Sequence, residues 1–251
     1  MHHSMLSWRV TCICLTFWCV VFVFLFFMLK AEQMLNESIH LICLSNWTNC
    51  EFQDNQKFKI IGMQRLENKS LFQKFKIYET QVATEVPLLK PLKRPQAIHP
   101  WLEKLSKKND LSVAANTQYL LHGTSLDNLD SIGRLGLRLC HAHSSGMYGQ
   151  GIYFTDSSCK ATQYGDGTPT GQPGSTGCII ICRVVLGNVY ELRKGAPGAR
   201  STPNGHRSFM ARAGFAHPNP NTYPQLHTEY ILFDDCACYP EFALTFDFVE
   251  E

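Results

Sequence analysis

The chain has 251 residues, which is enough for one or two globular domains. Its 45% apolar and 18% charged residues are an ordinary globular mixture once one membrane segment is allowed for. The formal net charge of +2 is too small to indicate a nucleic acid or an acidic surface as a direct partner.

The first element is an apolar run without charged residues, Val10–Leu29, which is long enough to cross a bilayer as a helix. A cleaved signal peptide usually has a shorter apolar core and a small-x-small cleavage site, and Phe27–Ala31 offers no such site. We therefore predict that residues 1–30 are a single-pass anchor, with membrane localisation and membrane contact through this run. A very hydrophobic leader and a wrongly predicted first exon stay open as alternatives, and the second would make the protein cytoplasmic or nuclear. Arg9 and Lys30 flank the two ends, so the positive-inside rule does not decide the sidedness.

Residues 31–57 have the composition of a polar linker. They contain two glycosylation sequons, Asn36–Ser38 and Asn46–Thr48, and Cys43 and Cys50 bracket the second one. Glycosylation and a disulfide would form only if this side were lumenal or extracellular.

The globular part is predicted to span residues 58–251 and to begin with a strand, Phe58–Leu66. Asn68 suits a helix N-cap, because its side-chain oxygen can accept from the free backbone amides of the first turn. The helix that follows is predicted to run to about Thr84. Its apolar side chains recur at helical spacing, as Leu71, Phe75 and Tyr78.

The rest of the chain alternates short apolar runs with turns and loops. Short helices are predicted over Leu126–Leu135 and Asp156–Tyr164, and a long loop over Gly195–Tyr223. Strands are predicted over Tyr119–Gly123, Cys178–Leu192 with a turn at Gly187–Asn188, His227–Asp234 and Tyr239–Phe248. Together these elements predict an α+β domain of mostly antiparallel strands and a few short helices, preceded by one apolar N-terminal helix.

Three motifs stand out in this order. A buried run ends in His122-Gly123, a second run begins as Gly151-Ile152-Tyr153-Phe154, and a third begins as His227-Thr228-Glu229-Tyr230. Each motif alone is more often structural, since a histidine at a strand end is usually a satisfied polar residue. Together they resemble the His-Tyr-Glu signature of the poly(ADP-ribose) polymerase family, which has the diphtheria-toxin-like ADP-ribosyltransferase fold.

The resemblance implies that NAD is the substrate and that the enzyme is an ADP-ribosyltransferase. It places the nicotinamide carboxamide against the backbone of Gly123 and a hydroxyl of the adenine-side ribose against His122. It places the pyridinium ring between Tyr153 and Tyr164, where stacking and cation–π attraction combine. Glu229 would accept a hydrogen bond from the nicotinamide-side ribose and stabilise the developing cation. His122, Tyr153 and Glu229 are thus the expected catalytic residues.

Outer positions follow from the same resemblance. Arg138 is expected near the adenosine, His141 on the adenine side, and Met147 where an incoming ADP-ribose chain is held. The loop from His141 to Gly149 and the ending Cys238–Phe242 are similar to those of the tankyrase type. The implied acceptors are proteins, including the enzyme itself, and the expected product is a chain of ADP-ribose units.

The sequence departs from the family in two places. Ala161 stands where members usually carry a serine that bonds the carboxamide, and this departure is expected to weaken NAD binding by roughly 1 kcal/mol. Residues 165–177 contain no Cys and no His, whereas tankyrases have a zinc cluster there, so no metal is expected. Two alternatives remain open, namely a mono-ADP-ribosyltransferase and a catalytically weak module that binds NAD or ADP-ribose.

Overall fold

The computed structural model describes residues 28–38, 56–85, 99–164, 174–214 and 227–250. Eight strands form one sheet in the order β1-β8-β4-β2-β3-β7-β6-β5. The strands are β1 (Gln56–Arg65), β2 (Thr117–Thr124), β3 (Ile152–Thr155), β4 (Thr176–Val185), β5 (Val189–Leu192), β6 (Ser208–Ala211), β7 (Glu229–Leu232) and β8 (Cys238–Glu250). Neighbouring strands are antiparallel except β5 and β6, which pair in parallel.

The described residues contain few α-helices, and most of these are short. They are α1 (Lys69–Glu85), α2 (Pro100–Lys108), α3 (Leu129–Leu135) and α4 (Ser158–Ala161), and residues 28–37 are helical as well. The predicted α+β class, with a mixed sheet and few helices, is confirmed. The Asn68 cap is also present, since Asn68 Oδ1 accepts from the backbone N–H of Leu71 at 3.1 Å.

The centre of the sheet is covered on both faces. The middle of β4, Cys178–Cys182, is therefore an uninterrupted apolar run, in which Ile179 and Ile180 are fully buried. Phe75 and Val82 of α1 belong to the same hydrophobic core. Both edges of β4 are taken, by β2 on one side and β8 on the other.

That arrangement explains why the predicted Gly187–Asn188 turn does not make a hairpin. β5 cannot pair with the strand that precedes it, and it crosses to the far edge of the sheet to pair with β6. β6 itself lies inside the stretch predicted to be loop. It is held there by burial, since all four of its residues are buried.

Strand pairing within the sheet is largely interrupted between β2 and β3, at a place that we call the divide. β2 pairs along its whole length with β4, from Thr117–Val185 to Thr124–Cys178. Its only pair with β3 in the described residues is Leu121–Thr155. The structure therefore describes no strand against the last residues of β2 on the β3 side.

The N-terminal prediction requires a correction. No helix within the described ranges is both long and apolar enough to cross a membrane, and this finding overturns the predicted membrane localisation and membrane contact. Residues 10–27 of the predicted anchor lie outside the described residues. Residues 28–37, split in the prediction between anchor and linker, instead form a helix that packs on the domain, with Leu35 fully buried.

Candidate active site

His122 faces the divide between β2 and β3. Its ring Nδ1 lies 2.8 Å from the backbone carbonyl oxygen of Tyr153 on β3. Burial lowers the pKa of His122, and the hydrogen bond to Tyr153 opposes that shift. The imidazole is therefore neutral near pH 7, and its proton is on Nδ1, because a carbonyl oxygen can only accept. Nε2 is left as an acceptor for a hydroxyl group.

Gly123 is required by the contact between β2 and α4. A Cβ atom at this position would lie 1.6 Å from the carbonyl oxygen of Ala161, which is a backbone atom that cannot move aside cheaply. This packing is a reason for glycine at position 123 within the protein itself. The expected contact of its backbone with the nicotinamide carboxamide stays a prediction. Ala161 itself is fully buried at this contact.

Tyr153 and Tyr164 are anchored differently. The Tyr153 hydroxyl donates to the carbonyl of Gly149 at 2.8 Å and accepts from the N–H of Tyr148 at 2.9 Å. This pair of bonds ties β3 to the loop that precedes it. The Tyr164 hydroxyl donates instead to Glu229 Oε2 at 3.1 Å, while 47% of the residue stays exposed. Burial raises the pKa of both phenols, so both keep their protons at neutral pH.

Glu229 is the first residue of β7 and lies opposite Thr155 of β3, two residues from Tyr153. It is only 3% exposed. The ammonium group of Lys160 lies 3.6 Å from its Oε1, and Tyr164 binds its other oxygen. A buried carboxylate held between a cation and a phenol is fixed in orientation.

Lys160 is the functional candidate that the sequence analysis missed. Besides Glu229, its Nζ lies 4.9 Å from the centre of the Tyr164 ring and donates to Gln163 Oε1 at 3.0 Å. A usable signal existed, because a lysine four residues before a tyrosine shares its helical face. That signal is common in helices, and it became specific only when Glu229 was seen beside it.

The predicted adenine-side residues, Arg138 and His141, are both exposed. Arg138 is exposed, with its Nε 3.8 Å from Asp235 Oδ2. It lines a cavity of about 410 Å³ on the side of α1. His141 ends a short 3₁₀ turn and is exposed, and Met147 is 41% exposed on the same loop. Neither Arg138 nor His141 is hydrogen-bonded to His122, Tyr153, Tyr164 or Glu229.

The C-terminal part of the loop that carries Met147 is attached to residues 196–199 by two hydrogen bonds. The Met147 carbonyl accepts from the N–H of Ala196 at 3.0 Å, and the Gln150 N–H donates to the Ala199 carbonyl at 2.7 Å. Tyr148 is fully buried below it. Met147 is thus an exposed apolar side chain on a backbone that is held in place.

Within the described residues, no group of three or more His, Cys, Asp or Glu side chains is placed to hold a metal ion. The arrangement as a whole is one of oriented acceptors, a buried anion and aromatic rings. Such a site suits a substrate with hydroxyl groups and a cationic ring.

The family model for the poly(ADP-ribose) polymerase catalytic domain matches residues 44–248 of the chain. Similar proteins include "Poly [ADP-ribose] polymerase 2-B" of Oryza sativa subsp. japonica, 32% identical over 48% of this chain and 19% of the relative. "Protein mono-ADP-ribosyltransferase PARP3" of Homo sapiens is 31% identical over 47% of this chain and 22% of the relative. "Poly [ADP-ribose] polymerase 1" of Gallus gallus is 37% identical over 51% of this chain and 14% of the relative. The matched part is thus about a fifth or less of each relative.

Proposed function

Starting from the fact that this chain belongs to the poly(ADP-ribose) polymerase catalytic-domain family, we propose that it transfers ADP-ribose from NAD to protein acceptors, including itself, and releases nicotinamide. The observation that carries the proposal is the setting of Glu229. Its buried carboxylate lies between Lys160 and Tyr164, across the divide from His122. No other part of the described chain combines this charge with the signature tyrosines.

The reaction needs few groups. The bond between nicotinamide and ribose breaks through an oxocarbenium-like state, as a glycosidic bond does. Nicotinamide leaves as a neutral molecule, so no general acid is required. The protein has to hold the leaving group, orient the ribose and stabilise the positive charge that develops on it.

The residues at the divide match these needs. In the described part of the chain, the backbone of Gly123 has no strand partner on the β3 side, which supports a role in binding the carboxamide. His122 Nε2 can accept from a hydroxyl of the adenine-side ribose, and Tyr153 and Tyr164 supply aromatic rings for the pyridinium. Glu229 accepts from the nicotinamide-side ribose, and its charge favours the cation as the bond breaks.

We further propose that the enzyme extends attached ADP-ribose units into chains. A ribose hydroxyl of an attached unit is a weak nucleophile and needs a carboxylate to orient it and draw on its proton. Glu229 supplies that carboxylate, and the exposed Met147 supplies an apolar surface for the adenine of the incoming unit. The relatives carry both kinds of name, polymerase and mono-ADP-ribosyltransferase, so transfer of single units is the second candidate.

Automodification with labelled NAD tests the proposal, with the products resolved on a denaturing gel before and after a chain-degrading glycohydrolase. A smear that collapses after the glycohydrolase is the expected result. A sharp band that the glycohydrolase leaves unchanged would support single-unit transfer. No label on the protein or on added acceptors would contradict the transferase proposal and favour a binding module.

A further inference from the structure

The helix formed by residues 28–37 is fastened to the open edge of the sheet. The side chain of Asn36 accepts from the N–H of Phe58 at 2.8 Å and donates to the carbonyl of Phe58 at 2.9 Å. Glu32 Oε2 accepts from the N–H of Ile60 at 2.7 Å. These bonds satisfy backbone groups of β1 on the side where no described strand pairs with it, so the side chains take the place of a neighbouring strand.

The other end of the same segment is bonded to the start of α4. The Ser158 hydroxyl donates to the carbonyl of Leu35 at 2.7 Å, and the Ser157 hydroxyl donates to the carbonyl of Ser38 at 3.1 Å. The Ser158 N–H also donates to Ser38 O, at 3.3 Å. The Leu35 carbonyl also accepts from the N–H and the hydroxyl of Ser38, at 3.2 and 3.0 Å, so Ser158 adds a further bond at the C-terminus of this helix.

This contact excludes water. Leu35 and Ser158 have no exposed surface, and Ser38 and Ser157 are almost completely buried. Hydrogen bonds in such surroundings are costly to break, because water cannot replace the lost partner. A third attachment is the Glu37 carboxylate, which accepts from the indole N–H of Trp101 in α2.

α4 needs support from outside. It is one turn of four residues, and a single turn is not stable by itself. Yet this turn carries Lys160 and leads directly to Tyr164, the two residues that hold Glu229. Ala161 of the same turn packs against Gly123.

We propose that residues 28–38 are a positioning element of the active site, which holds α4 in register through Ser157 and Ser158 and so places Lys160 and Tyr164 against Glu229. The segment touches none of the reacting atoms itself. The effect of this segment on substrate binding rests on the proposed function. Its support of α4 can be measured without any substrate.

We call the bonds of residues 28–38 to β1 and to α4 the brace. Two variants of the full chain each remove one part of it. Ser158→Ala removes the hydroxyl that binds Leu35, and Asn36→Ala removes the attachment to β1. Ser201→Ala, at an exposed turn, is the matched control. If either variant fails to fold, the other still tests the proposal, because the two positions lie on different elements.

The first measurement is hydrogen exchange of the backbone amides. Residues 157–164 are expected to exchange several-fold faster in both variants, while β4 keeps the exchange rate of the wild type. Unchanged exchange over 157–164 in both variants would overturn the brace, whatever the protein binds.

The second measurement compares two ligands by calorimetry. Because α4 contributes to the nicotinamide side, nicotinamide should bind about five- to tenfold more weakly. ADP, which lacks both nicotinamide and the nicotinamide-side ribose that Glu229 binds, should bind as it does to the wild type. Equal weakening of both ligands would indicate a general loss of structure and contradict a positioning role. Failure of the wild type to bind nicotinamide would contradict the proposed function instead, and the exchange data would still decide the brace.

Discussion

At the scale of single residues, the pair of Lys160 and Glu229 carries the most weight. An exposed ion pair contributes little, but this pair has side-chain exposures of 15% and 4%. Removing one partner from such a pair leaves the other charge buried and uncompensated. Lys160 therefore fixes where the Glu229 carboxylate points, and Tyr164 bonds its second oxygen.

Lys160→Met tests this role, because it removes the charge and keeps most of the volume. We expect the transfer rate with labelled NAD to fall by about tenfold or more, which corresponds to about 1.4 kcal/mol or more. Lys107→Met is the matched control. Lys107 pairs with Glu103 at 2.8 Å on the exposed face of α2, so its loss should change neither rate nor stability measurably. A Lys160→Met variant with the rate of the wild type would remove Lys160 from the site.

Asp156 is expected to make the stability of the fold depend on pH. Asp156 follows β3 at the turn into α4, and its Oδ2 accepts from the N–H of His99 at 3.1 Å. Burial raises the pKa of Asp156 from 3.8 to about 7. A carboxyl whose pKa is raised in the folded state stabilises the fold fully below its ordinary pKa, and that contribution is lost as the pH rises to about 7.

Asp156→Asn removes this titration but can still accept from His99. Between pH 5 and pH 8 the melting temperature of the variant should rise relative to that of the wild type. His99 titrates in both proteins, so its effect largely cancels in the difference. A difference in melting temperature that is constant over this range would show that Asp156 does not titrate there.

At the scale of elements, the contact of α4 with β2 decides the geometry of the site. The backbone of Ala161 occupies the space where a side chain on Gly123 would be. Gly123→Ala should push α4 away from β2, lowering stability by about 1–3 kcal/mol and separating Lys160 from Glu229. Thermal unfolding and the transfer rate measure the two effects.

Gly62→Ala is the control for that variant. Gly62 lies in β1, and a Cβ there would meet Thr245 at an ordinary 3.5 Å. We expect Gly62→Ala to keep the activity of the wild type. If Gly123→Ala were as stable and active as Gly62→Ala, the close packing of α4 on β2 would be wrong.

Elements also show which parts of the fold the sequence could predict. The helix after Asn68 was predictable, because a capping residue and one apolar face mark it locally. The helix over residues 28–37 was not, since Glu32 and Asn36 bond to the backbone of β1, and backbone partners leave no trace in the sequence. β6 was not predictable, because it lies in a stretch rich in Gly, Pro and His. Its pairing with β5 depends on the fact that β2 and β8 already occupy both edges of β4.

At the scale of the whole molecule, the site exists because β2, β3 and β7 are neighbours in the sheet. His122, Tyr153 and Glu229 are far apart in the chain, and their types and order were readable from the sequence. Their mutual distances were not, because the position of β3 between β2 and β7 is a property of the topology. The exposed positions of Arg138 and His141 likewise appear only in three dimensions.

The sheet also depends on a buried charged network away from the site. Arg183 donates to both oxygens of Glu241, at 2.6 and 2.9 Å, and Tyr119 donates to the same carboxylate at 2.5 Å. This network joins β2, β4 and β8.

The proposed transfer of ADP-ribose depends most directly on the charge of Glu229, and Glu229→Gln is the variant that tests it. Glutamine keeps the size and one acceptor oxygen but removes the charge, which matters mainly after the bond to nicotinamide begins to break. We expect the rate of ADP-ribose transfer from labelled NAD to fall by about 100-fold or more, as for loss of other preorganised charges, while the Kd for NAD measured by calorimetry changes less than about threefold. Glu67→Gln, at an exposed position, should change neither quantity. A Glu229→Gln variant that transfers ADP-ribose at the rate of the wild type would contradict the central claim.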